Sequence, residues 1–194
     1  MSVRKEAIGH SLVDRNSTLL QDLKVFQLVD LSRKTFPGYL PDRIDIEVVE
    51  RSPVARLGRN GVYGIDRQGY VFVLRSRKVL PVLEGYGGSN VKPGDRLEGM
   101  VQAALAVLEV CDNPAHNISI RAIDVSGDGH LVLYVSNDKH SPLSWPGMGE
   151  RTPESRAALM VRIRRLALAM RSSRSAPLPV LDATYGDRIF GRRD

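Results

Sequence analysis

ISIRAIDVSGDGHLVLYV, residues 118–135, is the stretch on which the fold turns. Two runs rich in β-branched residues, ISIRAIDV from Ile118 and HLVLYV from His130, flank Ser126-Gly127-Asp128-Gly129. Gly and Asp accept the backbone angles that tight hairpin turns demand, so an antiparallel pair is expected here. Upstream the apolar period becomes helical: Leu97, Val101, Ala104, Leu105 and Leu108 share one stripe. Asp95-Arg96-Leu97-Glu98 has the spacing of a capping box, and Asn113-Pro114 closes the segment. Downstream, Thr152 suits an N-cap and Pro153 the first helical position, with Leu159, Ile163, Leu166 and Met170 at i, i+4, i+7 and i+11. Arg156, Arg162, Arg164, Arg165 and Arg171 occupy much of the rest of that helix, which is expected to pack on a sheet and show guanidinium groups to water.

Four further β-like runs precede these elements: PVARLG from Pro53, VYGID from Val62, YVFVL from Tyr70 and VLPVL from Val79. Asp66-Arg67-Gln68-Gly69 joins two of them as a tight turn, and the four are expected to form a meander. Ile44, Ile46 and Val48 alternate with Asp45 and Glu47 as in a half-buried strand, and a short helix is expected around Leu19 to Phe26. At the other end PLPVLDATYGDRIFGRR yields two short strands. The order predicts an α+β fold, an antiparallel sheet covered by two helices.

With 194 residues and 42% hydrophobic content, the chain is long enough for a real core, and it carries no repeat period that would make a solenoid. The single cysteine, Cys111, excludes an internal disulfide and leaves core packing to hold the fold. The longest apolar stretch, from Gly99, is cut by Gln102 and Glu109, and the first residues lack an apolar signal core, so neither a transmembrane segment nor an export signal is expected in the chain. Net charge is +6, and residues 151–194 hold ten Arg against four acids, which accounts for that excess. Such a basic end suits nucleic acid, an anionic surface or an acidic protein.

Catalysis finds little footing. His10, His116, His130 and His140 fall in separate segments without metal-ligand spacing, there is no GxSxG elbow, and Cys111 ends an apolar stripe as a packed thiol does. Gly85-Tyr86-Gly87-Gly88-Ser89 lacks the Lys-Ser/Thr and the immediate helix of a phosphate loop, and Asp124 and Asp128 fit turn chemistry better than a calcium loop. No enzyme activity, metal or cofactor is expected.

RIDIEVVERSPVARL, from Arg43 to Leu57, resembles the junction between the POTRA and β domains of the FtsQ/DivIB family of bacterial cell-division proteins. Pro41, Ile44, Ile46, Val48, Glu50, Arg51, Pro53, Val54 and Ala55 fit that family's run. IDRQGYVF, LPVLEG and VLDATYGDRI continue the likeness in order, with Ala183-Thr184 standing where the family usually has Leu-Arg. Residues 1–51 would then be a partial POTRA-like segment and 52–194 an FtsQ-type β domain.

The resemblance implies a non-enzymatic scaffold of the divisome at the septum, on the extracytoplasmic face of the bacterial inner membrane, reached through an anchor absent from this chain. Its partners would be small coiled-coil proteins of the FtsB and FtsL kind. The candidate partner-binding residues are Tyr185, Gly186, Asp187, Arg188, Ile189 and Phe190, read as a last strand at a sheet edge, with Arg151 supplying a nearby cation. On strand alternation Tyr185, Asp187 and Ile189 share one face and Gly186, Arg188 and Phe190 the other. Tyr185, Ile189 and Phe190 could instead seal the core, and Glu50 to Pro53 could be a plain ion pair and turn. The alternative function is a basic nucleic-acid or anionic-surface module using the Arg-rich helix 152–171.

Overall fold

The computed structural model describes residues 2–3, 46–47, 51–59, 61–75, 78–87, 91–135, 139–172, 179–186 and 188–192. The chain divides into two units, Met1–Ser52 and Pro53–Asp194. In the first, β1 (Ser2–Val3) pairs antiparallel with β2 (Ile46–Glu47). The helix expected around Leu19 and the ends of the strand expected from Ile44 to Val48 lie outside the described residues.

The second unit runs β3 (Ala55–Leu57), β4 (Tyr63–Ile65), β5 (Val71–Val73), β6 (Val82–Glu84), α1 (Met100–Cys111), β7 (Ile120–Asp124), β8 (Leu131–Val135), β9 (Lys139–Leu143), α2 (Pro153–Ser172), β10 (Val180–Asp182) and β11 (Phe190–Arg192). Its strands form one sheet in the order β11-β10-β9-β8-β7-β6-β3-β4-β5. Among the described residues the protein is therefore α+β, a nine-stranded and mostly antiparallel sheet with two helices.

The sheet is not wholly antiparallel, as the sequence had suggested: β3 with β6, β6 with β7, and β9 with β10 run parallel. The cause is connectivity. A parallel neighbour needs a crossover, and α1 supplies it between β6 and β7 while α2 supplies it between β9 and β10. The expected meander breaks at β6 for a similar reason. After β5 the chain does not pair on with that strand: β6 enters beside β3, parallel to it, with Arg56 N–H donating to Pro81 O at 2.8 Å.

The Ser126–Gly129 turn joins β7 to β8 as expected. Leu131, Leu133 and Val135 alternate into the core, and β9 continues the pattern with Ser141 and Leu143. From the helices come Val101, Ala104 and Leu105 of α1 and Leu159, Ile163 and Leu166 of α2, while Leu108 and Met170 are half-buried. At about 25 cal/mol per Å² of apolar area, each fully buried Leu or Ile contributes roughly 1.5–3 kcal/mol.

The start of α2 follows its sequence signature, since Ser155 N–H donates to Thr152 Oγ1 at 3.2 Å. That of α1 does not. Asp95 belongs to a turn, accepting the Lys92 N–H at 2.8 Å, and the helix begins only after Gly99, whose φ of 63° a residue with a side chain rarely adopts. Arg162, expected to face water, is buried, because it sits only one helical step from Ile163 at the margin of the apolar stripe.

Candidate functional site

A sheet of nine strands has two edges, and the chain treats them differently. Along β5, Val71 N–H donates to Asp95 O at 2.9 Å and Val71 O accepts Gly94 N–H at 2.8 Å. Leu97 N–H reaches Gly69 O at 2.9 Å, and Tyr70 bridges Arg96, whose guanidinium lies 5.8 Å from the Tyr70 ring centroid. Residues 94–97 thus strap this edge.

At the other edge, β11 pairs with β10 in the register Val180 to Arg192, Leu181 to Gly191 and Asp182 to Phe190. The direction of each backbone group follows from the neighbour on the far side of β10. His140 N–H donates to Pro179 O at 3.0 Å and Ala183 N–H to Pro142 O at 2.8 Å, so the odd-numbered positions of β10 serve β9. Val180 and Asp182 are left to bond Arg192 and Phe190. Because hydrogen-bonded and non-hydrogen-bonded pairs alternate, Gly191 turns its N–H and C=O away from the sheet. All three residues of β11 are exposed.

The reversal into β11 is built around Asp182. This buried carboxylate accepts Thr184 N–H at 3.0 Å and Thr184 O–H at 2.6 Å through Oδ1, and its Oδ2 lies 3.3 Å from Arg192 Nη2. The short polar loop competes with continued strand, as Asx turns do. Tyr185 and Gly186 follow as a turn, with Gly186 at φ 40° and Arg188 N–H donating to Tyr185 O at 3.1 Å. The stretch from Tyr185 to Ile189 is therefore not the continuous strand expected, and Phe190 is the member of that set that lies in β11. Asp187 falls outside the described residues.

Because the chain turns, the expected separation of Tyr185 and Phe190 onto opposite faces is also corrected: their rings meet edge to face, with centroids 6.0 Å apart and planes at 87°. Both stay open to solvent, Tyr185 at 65% and Phe190 at 46% exposure, while Ile189 is half-buried against the core. An exposed aromatic pair beside an open backbone edge is a surface able to hold a partner's apolar side chain.

Arg151 is not joined to this surface. Its guanidinium binds Gln102 Oε1 and the carbonyls of Arg67 and Gln68, near the strapped edge. A cation that does reach the Tyr185 turn is Arg162, through Nη1 to Tyr185 O at 3.4 Å. The helical phase, which sets Arg162 beside Ile163, was the signal for it. Of the other arginines of α2, Arg156 pairs with Glu109 at 2.9 Å and Arg171 donates to Ala115 O at 3.5 Å, while Arg164 is exposed.

Among the described residues no three His, Cys, Asp or Glu side chains gather in a metal-binding group, and no helix is long and apolar enough to cross a membrane. Burial pushes the Cys111 thiol up to about 12 from its ordinary 9.0, which keeps it protonated and unreactive at neutral pH. The chain matches no protein-family model and no curated protein.

Proposed function

We propose that the protein is a non-enzymatic binding scaffold that takes a partner strand at β11, and that its partners are acidic coiled-coil proteins of the FtsB and FtsL kind at the bacterial division septum. The open edge of β11 carries this reading: Gly191 points a donor and an acceptor outward, and the Tyr185 and Phe190 rings lie beside them. Strand addition satisfies such groups with main-chain hydrogen bonds, and aromatic anchors add specificity. The basic charge of residues 151–194 favours an acidic partner. The resemblance of Arg43–Leu57 and the later motifs to the FtsQ/DivIB family supplies the biological setting, with residues 1–51 as a partial POTRA-like segment. Nucleic acid is the weaker reading, since Arg156 and Arg171 of α2 are engaged within the fold and Arg162 is buried.

Gly191→Pro tests the proposal. It deletes the outward N–H while leaving the Phe190 and Arg192 amides to β10. A synthetic peptide from the C-terminal part of an FtsB-like protein should bind the parent chain with only mild salt dependence. It should fail to bind the variant, whose thermal unfolding should be nearly unchanged. Equal binding by the two proteins would overturn strand addition at β11, and steep salt dependence with duplex DNA as a competitor would favour the nucleic-acid reading.

A further inference from the structure

Between α1 and the start of α2 lies a cleft of about 430 Å³. That is inside the roughly 300–1,000 Å³ typical of small-ligand sites. Leu105, Leu159 and Trp145 are buried apolar residues of its lining, and Trp145 is held in place by donating its Nε1–H to Ser155 Oγ at 3.0 Å. Three guanidinium groups and two carboxylates, Glu109 and Glu150, also border it.

The three cations are not equivalent. Arg67 pairs with Asp112 at 3.2 Å and Arg156 with Glu109 at 2.9 Å. Arg151 instead donates Nε to Gln102 Oε1 at 3.1 Å, and Nη2 to that same oxygen and to the carbonyls of Arg67 and Gln68 at 3.3 and 3.4 Å. These acceptors are all neutral, and no carboxylate among the described residues forms an ion pair with it. Gln102, itself buried, is fixed by donating Nε2 to Leu97 O at 2.5 Å and Gln68 O at 3.3 Å. The charge of Arg151 is thus positioned without being neutralised, at the border of an apolar cleft.

We propose that this cleft binds a carboxylate carried on a short apolar stem. The stem would lie on Leu105, Leu159 and Trp145, and the carboxylate would meet Arg151, while Arg67 and Arg156 stay paired with Asp112 and Glu109. Guanidinium suits this task because it presents a planar fork to a carboxylate. The site is separate from β11 and does not depend on strand addition.

Trp145 is the chain's one tryptophan, so its fluorescence reports on the cleft directly. Hexanoate is the probe, with hexanamide as its uncharged counterpart. Hexanoate should give a saturable change with half-effect in about the millimolar range, and hexanamide should bind about tenfold more weakly or less. Arg151→Gln should bring the hexanoate response down to that of hexanamide, and Ala106→Phe, which fills the cleft, should abolish it. Gly191→Pro should leave it unchanged, which separates this site from the strand edge. Equal binding of the two probes, a hexanoate response surviving in folded Ala106→Phe, a hexanoate response in folded Arg151→Gln as strong as in the parent chain, or no saturable response up to about 20 mM would overturn the proposal.

Discussion

The two ends of the sheet solve the same problem in opposite ways. An edge strand carries unpaired N–H and C=O groups that invite another chain. At β5 the protein answers with its own residues 94–97, which take the Val71 donor and acceptor, and Gly69 makes room for them: a Cβ there would come within 2.8 Å of Leu97 O. At β11 the equivalent groups of Gly191 stay unclaimed by the sheet, while the Asp182 loop holds the strand in place from behind. A protein that closes one edge with dedicated hydrogen bonds and leaves the other open beside the Asp182 loop has an asymmetry that strand addition can use.

The largest expected effect tests what supports the open end. Leu166 is fully buried in α2, which packs on β10, so Leu166→Ala should cost ~2–5 kcal/mol in denaturant unfolding. Arg164→Ala, on the exposed face of the same helix, should cost less than about 0.5 kcal/mol. Equal small losses would mean that α2 does not carry the β10 end.

The strapped edge is probed by Gly69→Ala. With φ at 93° and Leu97 O and the Gln102 amide in the way, the substitution should destabilise by about 1–3 kcal/mol and loosen residues 94–97 without altering peptide binding at β11. A loss of peptide binding in the folded variant would show that the two edges are coupled.

The smallest perturbation needs no mutation. In amide hydrogen exchange Val71, bonded to Asp95, should exchange about a hundredfold more slowly than Gly191, and a bound peptide strand should slow Gly191 alone. Comparable protection at both amides in the free protein would erase the distinction between the edges.

Most of the second unit was legible where local chemistry and tertiary need agreed. The Ser126–Gly129 turn, the Thr152-Pro153 helix start and the Leu159, Ile163, Leu166 stripe each state one conformation twice, through backbone preference and through apolar period. β9 escaped because Lys139-His140-Ser141-Pro142-Leu143 has neither β-branched residues nor a clear alternation, and its place in the sheet comes from five register partners on β8. Strand direction was hidden as well, since period gives no sign of parallel or antiparallel pairing. At the site, the basic, aromatic end stood out in the sequence, but its turn did not: the carboxylate of Asp182 organises Thr184 and Arg192 through contacts that span ten residues. Arg151 was misplaced for a related reason, because its acceptors come from Gln102 and the Arg67-Gln68 turn, remote in sequence.

The arginines around β11 also decide what the edge refuses. If two copies paired antiparallel about Gly191, Arg192 of each would face Phe190 of the other, which sets the two Arg192 residues two positions apart along the strands, about 7 Å at the usual strand rise. Like charges that close fall within a Debye length of roughly 8 Å at physiological salt, and a strand of three residues offers few main-chain bonds to offset them. An exposed edge is ordinarily an aggregation risk. Here its shortness and its cations discourage self-recognition, which under the proposed function keeps β11 free for an oppositely charged chain.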